Sequence, residues 1–269
     1  MLLTPAAYNL PLVLPGSYFY GRAPLPPSGP WLYPNYFATY HIHYLRYLYY
    51  LCYQDATGPY PTELSQEEIE KSFSRKSHTC KKKIRKILIG EAPNVPGTYF
   101  YNPATPVTSG GPFYSPIVTS LFPAGTVFGS RTDFLIACAR AGFLLMDLFP
   151  YDGGVYPATP TAYQSAFCGS PQPFGYNIIS KLNALSCCIE DTFSIAFSLI
   201  RIGNPILSDP ACIAAFNAFL LAKGKALNPA GPLEVLRGAA IPGAADYVRV
   251  AGQRGLFGPS SGLLTLAGF

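Results

Sequence analysis

The fold of this chain is decided by the stretch Ile84-Arg85-Lys86-Ile87-Leu88-Ile89-Gly90-Glu91-Ala92-Pro93. A short apolar run ends here in Gly90, and a polar residue and a proline follow at once. A short apolar run that stops at a glycine and a turn is typical of a buried strand leading into a loop. We therefore predict a buried strand over 84–89, with Glu91 in the loop at its carboxyl end.

The same pattern recurs further along the chain. A helix over 132–141 is predicted to precede a buried strand over 143–146, which ends at Asp147. Residues 233–236 and 247–250 are the third and fourth strand candidates. Strands that alternate with helices predict a parallel sheet covered on both faces, with ligands at the carboxyl ends of its strands.

Helix signals flank these strands. Residues 65–68 fit a capping box, and the helix that they start runs into a basic segment. Residues 177–202 are predicted to be helical. A further helix over 209–223 has an aspartate at the N-cap, a proline at the first helical position and Gly224 as its stop.

The first sixty residues differ from the rest, because they are dense in Tyr and Pro and almost free of Lys and Glu. Tyr and Leu at helical spacing predict an amphipathic helix over 36–53, whose stripe suits either core packing or base stacking. We expect a three-layer α/β/α fold with a central four-stranded parallel sheet. Residues 1–60 form an N-terminal Tyr/Pro-rich helical extension that packs on the α/β domain of 61–269.

Composition excludes a disordered chain, since 49% of the 269 residues are hydrophobic and 12% are charged. No uncharged apolar run approaches the roughly 18 residues that a membrane span needs, and no basic segment precedes the first apolar residues. We therefore expect a cytoplasmic protein without a membrane partner.

The cysteines lie far apart and include no CxxC pair. Their spacing supports neither a disulfide framework nor a standard metal site, so we expect buried reduced thiols, no metal and no cofactor. The seven residues are Cys52, Cys80, Cys138, Cys168, Cys187, Cys188 and Cys212.

Positive charge is concentrated within 71–86, although the net charge is only +5. The run is either a solvated face or a surface that contacts phosphates, and charge alone leaves both open. Its basic residues are Lys71, Arg75, Lys76, Lys81, Lys82, Lys83, Arg85 and Lys86.

Polar or glycine-rich segments follow the four predicted strands in a particular order. They are Gly90-Glu91-Ala92-Pro93, Asp147-Leu148-Phe149-Pro150, Gly238-Ala239-Ala240 and Gly258-Pro259-Ser260-Ser261-Gly262-Leu263. In this order they resemble the motifs of the uracil-DNA glycosylase superfamily, over about residues 84–266. The first segment is similar to the family's GEAPG motif, and the last to its His-Pro-Ser or Asn-Pro-Ser motif.

The resemblance implies a role for each segment. Glu91 would be the catalytic carboxylate that orients water and stabilises positive charge on the sugar. Base-binding residues would be Ala92, Pro93, Phe100, Tyr101 and Asp147, with Phe100 or Tyr101 stacking on the extruded base. DNA-binding residues would be Lys81, Lys82, Lys83, Pro259, Ser260, Ser261 and Leu263, with Leu263 as an apolar wedge.

Two departures from the family pattern bear on function. Gly258 stands where the family has the histidine or asparagine that assists the leaving base, and Asp147 stands where uracil-releasing relatives carry asparagine. An ionised aspartate only accepts hydrogen bonds, which suits the amino group of a cytosine better than the O4 atom of uracil.

The function hypothesis is therefore a monofunctional, monomeric DNA glycosylase that flips out a base and hydrolyses its N-glycosidic bond. The base would be a modified cytosine, which would fit a defence role against phage with modified DNA. The alternatives are a catalytically silent nucleic-acid-binding protein on the same fold and a partner-binding role for the first sixty residues.

Overall fold

A computed structural model describes residues 34–54, 56–74, 82–92, 99–107, 114, 117–118, 121–149, 158–169 and 177–227. Its helices are α1 (Pro34–Cys52), α2 (Gln66–Ser74), α3 (Arg131–Arg140), α4 (Pro160–Cys168), α5 (Ile178–Leu185), α6 (Ile200–Leu207) and α7 (Pro210–Lys223). Its strands are β1 (Ile84–Gly90), β2 (Phe143–Asp147), β3 (Ile189–Phe197) and β4 (Ala226–Leu227).

The strands form one parallel sheet in the order β2-β1-β3-β4. Ile87 pairs with Leu144 of β2 and with Ile195 of β3, and all three side chains are buried. Helices α4 to α7 pack on one another, whereas α3 packs on α1 and β2. The right-handed rule for connections between parallel strands assigns these two groups of helices to opposite faces of the sheet. The predicted three-layer α/β/α fold with a four-stranded parallel sheet is confirmed.

The strands predicted over 84–89 and 143–146 are confirmed, as is the helix between them. This helix, α3, ends before Gly142, whose φ of +71° reverses the chain toward β2. A Cβ atom at this position would collide with the backbone oxygen of Lys83. Glycine is therefore needed here both for the left-handed backbone and for the close approach of another segment.

The helix predicted over 177–202 is wrong. Residues 178–185 form α5, but 189–197 form β3, and α6 begins only at residue 200. An apolar run of this length is ambiguous by periodicity, and the β-branched and aromatic residues Ile189, Thr192, Phe193 and Ile195 favour the strand that pairs with β1. The chain thus places a strand in the centre of the sheet where a continuous helix was expected.

The third and fourth strands of the described sheet are therefore β3 and β4. Residues 233–236 and 247–250, which were the predicted strands, lie outside the described residues.

Helix α1 confirms the amphipathic helix predicted over 36–53, and its aromatic stripe is part of the core. Tyr44, Tyr47, Leu48 and Leu51 are buried in the hydrophobic cluster that also contains the sheet. The stripe therefore packs against the protein, and its buried rings cannot stack on nucleobases in this conformation.

Two tyrosine hydroxyls bond to the outer backbone edge of β2, which no other strand of the described sheet covers. Tyr47 donates to the carbonyl of Phe143 at 2.6 Å. Tyr101 donates to the carbonyl of Leu145 at 2.6 Å and accepts from the N–H of the same residue at 2.8 Å. Backbone groups at a buried sheet edge are costly when unpaired, so these hydroxyls replace a neighbouring strand.

The predicted caps of α2 and α7 are confirmed. Ser65 and Glu68 exchange the hydrogen bonds of a capping box, in which the Ser65 N–H donates to Glu68 at 2.8 Å. Asp209 accepts from the Ala211 N–H at 3.0 Å, and Gly224 ends α7 with a φ of +60°.

The expectation that the cysteines are reduced is wrong for Cys168, Cys188 and Cys212, each of which is disulfide-bonded. Cys168, at the end of α4, forms a disulfide with Cys212 in α7. The two residues are 44 positions apart, and the packing of α4 against α7 brings their Cα atoms to 5.2 Å. Sequence spacing alone could not reveal this proximity.

No helix in the described part of the chain is by itself long and apolar enough to span a membrane. The segments Arg201–Leu207 and Pro210–Lys223 meet the length and composition criteria only when joined, and they meet at an angle of 81°.

Candidate functional site

The strand order reverses at β1, because the chain passes from β1 to β2 on one side and reaches β3 on the other. In open parallel sheets such a reversal opens a crevice beyond the carboxyl ends of the strands, where ligands bind. Glu91 directly follows β1, and Arg201 lies at the start of α6, just after β3. The two residues meet at this reversal point, beyond the carboxyl ends of β1 and β3.

The Glu91 carboxylate is buried, and both of its oxygens accept hydrogen bonds. Its Oε1 accepts from the Tyr163 hydroxyl at 2.6 Å and from the Arg201 Nε at 2.9 Å, and its Oε2 pairs with the Arg201 Nη2. The exposed fraction is 7% for the glutamate side chain and 65% for the arginine. A bidentate arginine thus fixes a buried carboxylate while its own side chain remains largely open to solvent.

Helices α4 and α6 position the two partners of Glu91. They pack against each other, and the Gln164 Nε2 atom of α4 donates to the Pro205 carbonyl of α6 at 3.1 Å. Burial, with the hydrogen bond to Glu91, raises the pKa of Tyr163 to about 12. The Tyr163 hydroxyl therefore keeps its proton at neutral pH and remains a donor to the carboxylate.

A second carboxyl group lies at the end of the neighbouring strand. Asp147 is the register partner of Gly90, and its Oδ1 occupies the space that a Cβ atom at position 90 would need. Burial raises the pKa of Asp147 to about 7, with a further upward effect from Glu91 and an opposing one from Lys181. Both the neutral and the charged forms of Asp147 are therefore populated near neutrality.

Lys181 of α5 is buried beside Asp147. Its Nζ donates to the Asp147 carbonyl at 3.2 Å. Burial lowers the pKa of Lys181 to about 7, although the nearby Asp147 acts in the opposite direction. The carboxyl ends of β1 and β2 thus hold two carboxyl groups and a buried amine, with an arginine at the surface.

Sequence reasoning missed Tyr163, Lys181 and Arg201. One signal was available for Lys181, because it lies within the apolar periodicity of α5 beside Leu182. A lysine on a buried helix face needs a polar partner. Arg201 was hidden by the wrong helix over 177–202, since its position just beyond a strand end was not visible.

Phe100 and Tyr101, the predicted stacking residues, are core residues in this structure. Tyr101 is 1% exposed, with its hydroxyl on the edge of β2, and the Phe100 ring packs against Tyr101 and Phe134. Neither ring is open to a base. Ala92 is partly buried against the core, and Pro93 lies outside the described residues.

The basic residues that the structure describes at the C-terminal end of this segment differ in exposure and do not share one solvated face. Lys82 is exposed and pairs with Asp191 at 2.6 Å, Lys83 is half-buried, and Lys86 lies inside the sheet. Burial lowers the pKa of Lys86 to about 8, and the neighbouring Arg85 lowers it further.

The other predicted DNA-binding residues cannot be placed. Lys81, Pro259, Ser260, Ser261 and Leu263 lie outside the described residues.

The fold and site define a three-layer α/β protein with a charged cluster at the reversal point of its sheet. No family model matches the chain, and neither a curated protein nor a solved structure gives a significant match to it.

Proposed function

We propose that the protein is a DNA glycosylase in which Glu91 assists hydrolysis of the N-glycosidic bond. The observation that carries the proposal is the buried Glu91 carboxylate beyond β1, at the reversal of strand order where open parallel sheets generally bind ligands. As the bond breaks, positive charge develops on the sugar, and a fixed carboxylate stabilises it while orienting the attacking water. The site therefore contains the group that this reaction needs most.

Arg201 gives the proposal a cationic donor near the leaving base. Gly258 cannot supply the donor that a histidine or asparagine supplies in the family that the motifs resemble. The Arg201 side chain is 65% exposed and held next to Glu91. Its guanidinium can donate to negative charge that develops on the base or to a phosphate beside it.

The proposed substrate is DNA that contains a modified cytosine. Asp147, as a carboxylate, accepts from the cytosine N4 amino group, whereas toward the uracil O4 it would leave an unpaired polar contact costing about 1–3 kcal/mol. With the pKa of Asp147 raised to about 7, the accepting form is available at and above neutral pH. A defence role against phage with modified DNA is an extension of this proposal.

The reaction proposed is monofunctional, carried out by a monomer in the cytoplasm, and it leaves an abasic site. Water is the nucleophile in this scheme. The buried Lys181 amine donates to a backbone carbonyl and is assigned no covalent step.

The test is abasic-site formation on DNA duplexes that contain uracil, hypoxanthine or a modified cytosine. The parent chain is expected to release the modified cytosine, and Glu91→Gln to slow release about 10²- to 10⁴-fold with little change in DNA binding. Asp147→Asn should shift the preference toward uracil. DNA binding without any base release would instead favour the catalytically silent nucleic-acid-binding protein.

A further inference from the structure

A second cluster of chemically active side chains lies at the C-terminal end of α4. Cys168 ends α4, Asp209 caps α7, and Cys212 lies in the first turn of α7. Their sulfur and carboxylate atoms all lie within 4.8 Å of one another. In this structure the two sulfur atoms form a disulfide, and Cys212 is buried while the other two side chains are half-buried.

The same residues have the chemistry of a transition-metal site. Two thiolates and a carboxylate are ligands that Zn²⁺ accepts, and three protein ligands leave one position of a tetrahedron open. Tetrahedral zinc with Zn–S bonds of about 2.3 Å holds two sulfur atoms about 3.8 Å apart. A Cα–Cα distance of 5.2 Å allows this spacing by side-chain rotation alone, because the helices already face each other.

Asp209 can serve as both cap and ligand. One of its oxygens, Oδ1, accepts from the Ala211 N–H at 3.0 Å. A carboxylate has about four lone-pair sites, so the cap leaves capacity for a metal bond.

We propose that reduction of the Cys168–Cys212 disulfide creates a Zn²⁺ site formed by Cys168, Cys212 and Asp209. A dithiol supplies two electrons and two protons, which convert the disulfide to two thiols while the dithiol is oxidised to its own disulfide. Zn²⁺ then binds the two sulfurs and the carboxylate and releases the two thiol protons. The oxidised chain cannot bind the ion there, because its sulfurs are bonded to each other.

The two states would hold the same pair of helices together by different means. Helix α4 also carries Tyr163, which donates to Glu91, so either crosslink keeps this donor in place. The thiol form is the expected one in a reducing cytoplasm, a point that rests on the proposed location. The metal site itself does not depend on the proposed reaction.

The experiment is metal titration of the full-length chain, with Co²⁺ as a spectroscopic probe and Zn²⁺ as competitor, before and after reduction by a phosphine that is then removed. The reduced chain is expected to bind one Co²⁺ with thiolate charge-transfer absorption and the visible bands of tetrahedral cobalt. Zn²⁺ should abolish both signals. The oxidised chain should show neither.

Three variants separate this site from other thiols. Cys168→Ser should remove the charge-transfer signal, whereas Cys187→Ser, which alters a free cysteine elsewhere, should leave it unchanged. Asp209→Asn keeps a good helix cap but loses the charged ligand. This substitution should weaken cobalt binding by at least about 100-fold. Loss of a residue that only supports a metal ligand can already weaken metal binding by about that factor, and Asp209 is proposed as a direct ligand.

Circular dichroism of each variant checks that it folds. The proposal is overturned if the folded, reduced parent takes up no cobalt, or if Cys168→Ser or Asp209→Asn binds it as tightly as the parent. Either result can occur whether or not the protein releases bases from DNA, so this test and that of the proposed function fail independently.

Discussion

Gly90 and Asp147 are register partners at the carboxyl ends of β1 and β2, and the Asp147 carboxyl group lies over the Gly90 backbone. The space that a side chain at position 90 would fill is taken by Oδ1 of Asp147, with Leu145 Cδ1 close behind it. Glycine is required at position 90 because the Asp147 carboxyl group lies too close to leave room for a side chain. The absence of a side chain at position 90 therefore allows the Asp147 carboxyl group to lie near Glu91.

Gly90→Ala is therefore expected to displace Asp147 and to destabilise the protein by about 1–3 kcal/mol, the usual cost of overpacking a core. The free energy of unfolding from urea titration measures this effect. In an Asp147→Ala background the same substitution should cost less, because the obstructing carboxyl group is gone.

Gly129→Ala is the matched control for that substitution. The nearest atom to an added methyl group at position 129 is an Asp133 oxygen at 3.5 Å, an ordinary contact. A change within about 0.5 kcal/mol is expected there. Equal effects at positions 90 and 129 would show that the contact with Asp147 is unimportant.

The pH dependence of stability should reveal the buried Asp147. Burial raises its pKa from near 3.8 to about 7, so the folded state holds the proton more tightly than the unfolded state. Each unit of difference is worth about 1.4 kcal/mol, and this stabilisation is complete below about pH 4 and is lost as the pH rises toward 7. Asp147→Asn should remove this loss, so the variant gains stability relative to the parent between pH 5 and pH 7. A constant difference across that range would contradict the raised pKa.

The two strands that position the site could be predicted from the sequence because each is a short apolar run with a clear stop. Gly90 ends one and Asp147 the other, and both stops hold in the structure. Glu91 was found for the same reason, since its place in the chain fixes it at a strand end. The local sequence pattern was therefore sufficient to predict a site residue that directly follows a predicted strand.

The residues around Glu91 could not be predicted because they arrive by packing. Tyr163 lies 72 positions away along the chain and Arg201 lies 110 away, and neither belongs to a motif. The error over 177–202 had a further cause, since a continuous apolar run fits a buried strand as well as a helix. Phe100 and Tyr101 were misjudged because aromatic residues next to a motif suit a core as well as a binding surface.

The hydroxyl of Tyr101 should matter more to stability than that of Tyr60. Tyr101→Phe removes the group that pairs with both the N–H and the carbonyl of Leu145, and burial keeps water from replacing it. A loss of about 1–3 kcal/mol is expected, as for other buried polar groups left unpaired. Urea unfolding, with the slope checked for constancy, measures it.

Tyr60→Phe supplies the comparison. Among the residues that the structure describes, the buried Tyr60 hydroxyl has no hydrogen-bond partner, so its removal should be neutral or slightly stabilising. If the two substitutions cost the same, the hydroxyl of Tyr101 does not stabilise the edge of β2.

The ion pair between Glu91 and Arg201 should respond asymmetrically to substitution. Arg201→Gln leaves a buried carboxylate without its guanidinium, whereas Glu91→Gln leaves an amide of the same shape that still accepts from Tyr163. A cost on the order of 1–2 kcal/mol is expected for Arg201→Gln, below that of a fully buried pair because the arginine is largely exposed. Glu91→Gln should cost less, and the double variant should be more stable than Arg201→Gln alone, because the unpaired charge is then absent.

Urea unfolding of the parent, both single variants and the double variant forms a double-mutant cycle that measures the coupling between the two residues. Additive losses, or a greater loss from Glu91→Gln than from Arg201→Gln, would mean that the guanidinium does not hold the carboxylate in place.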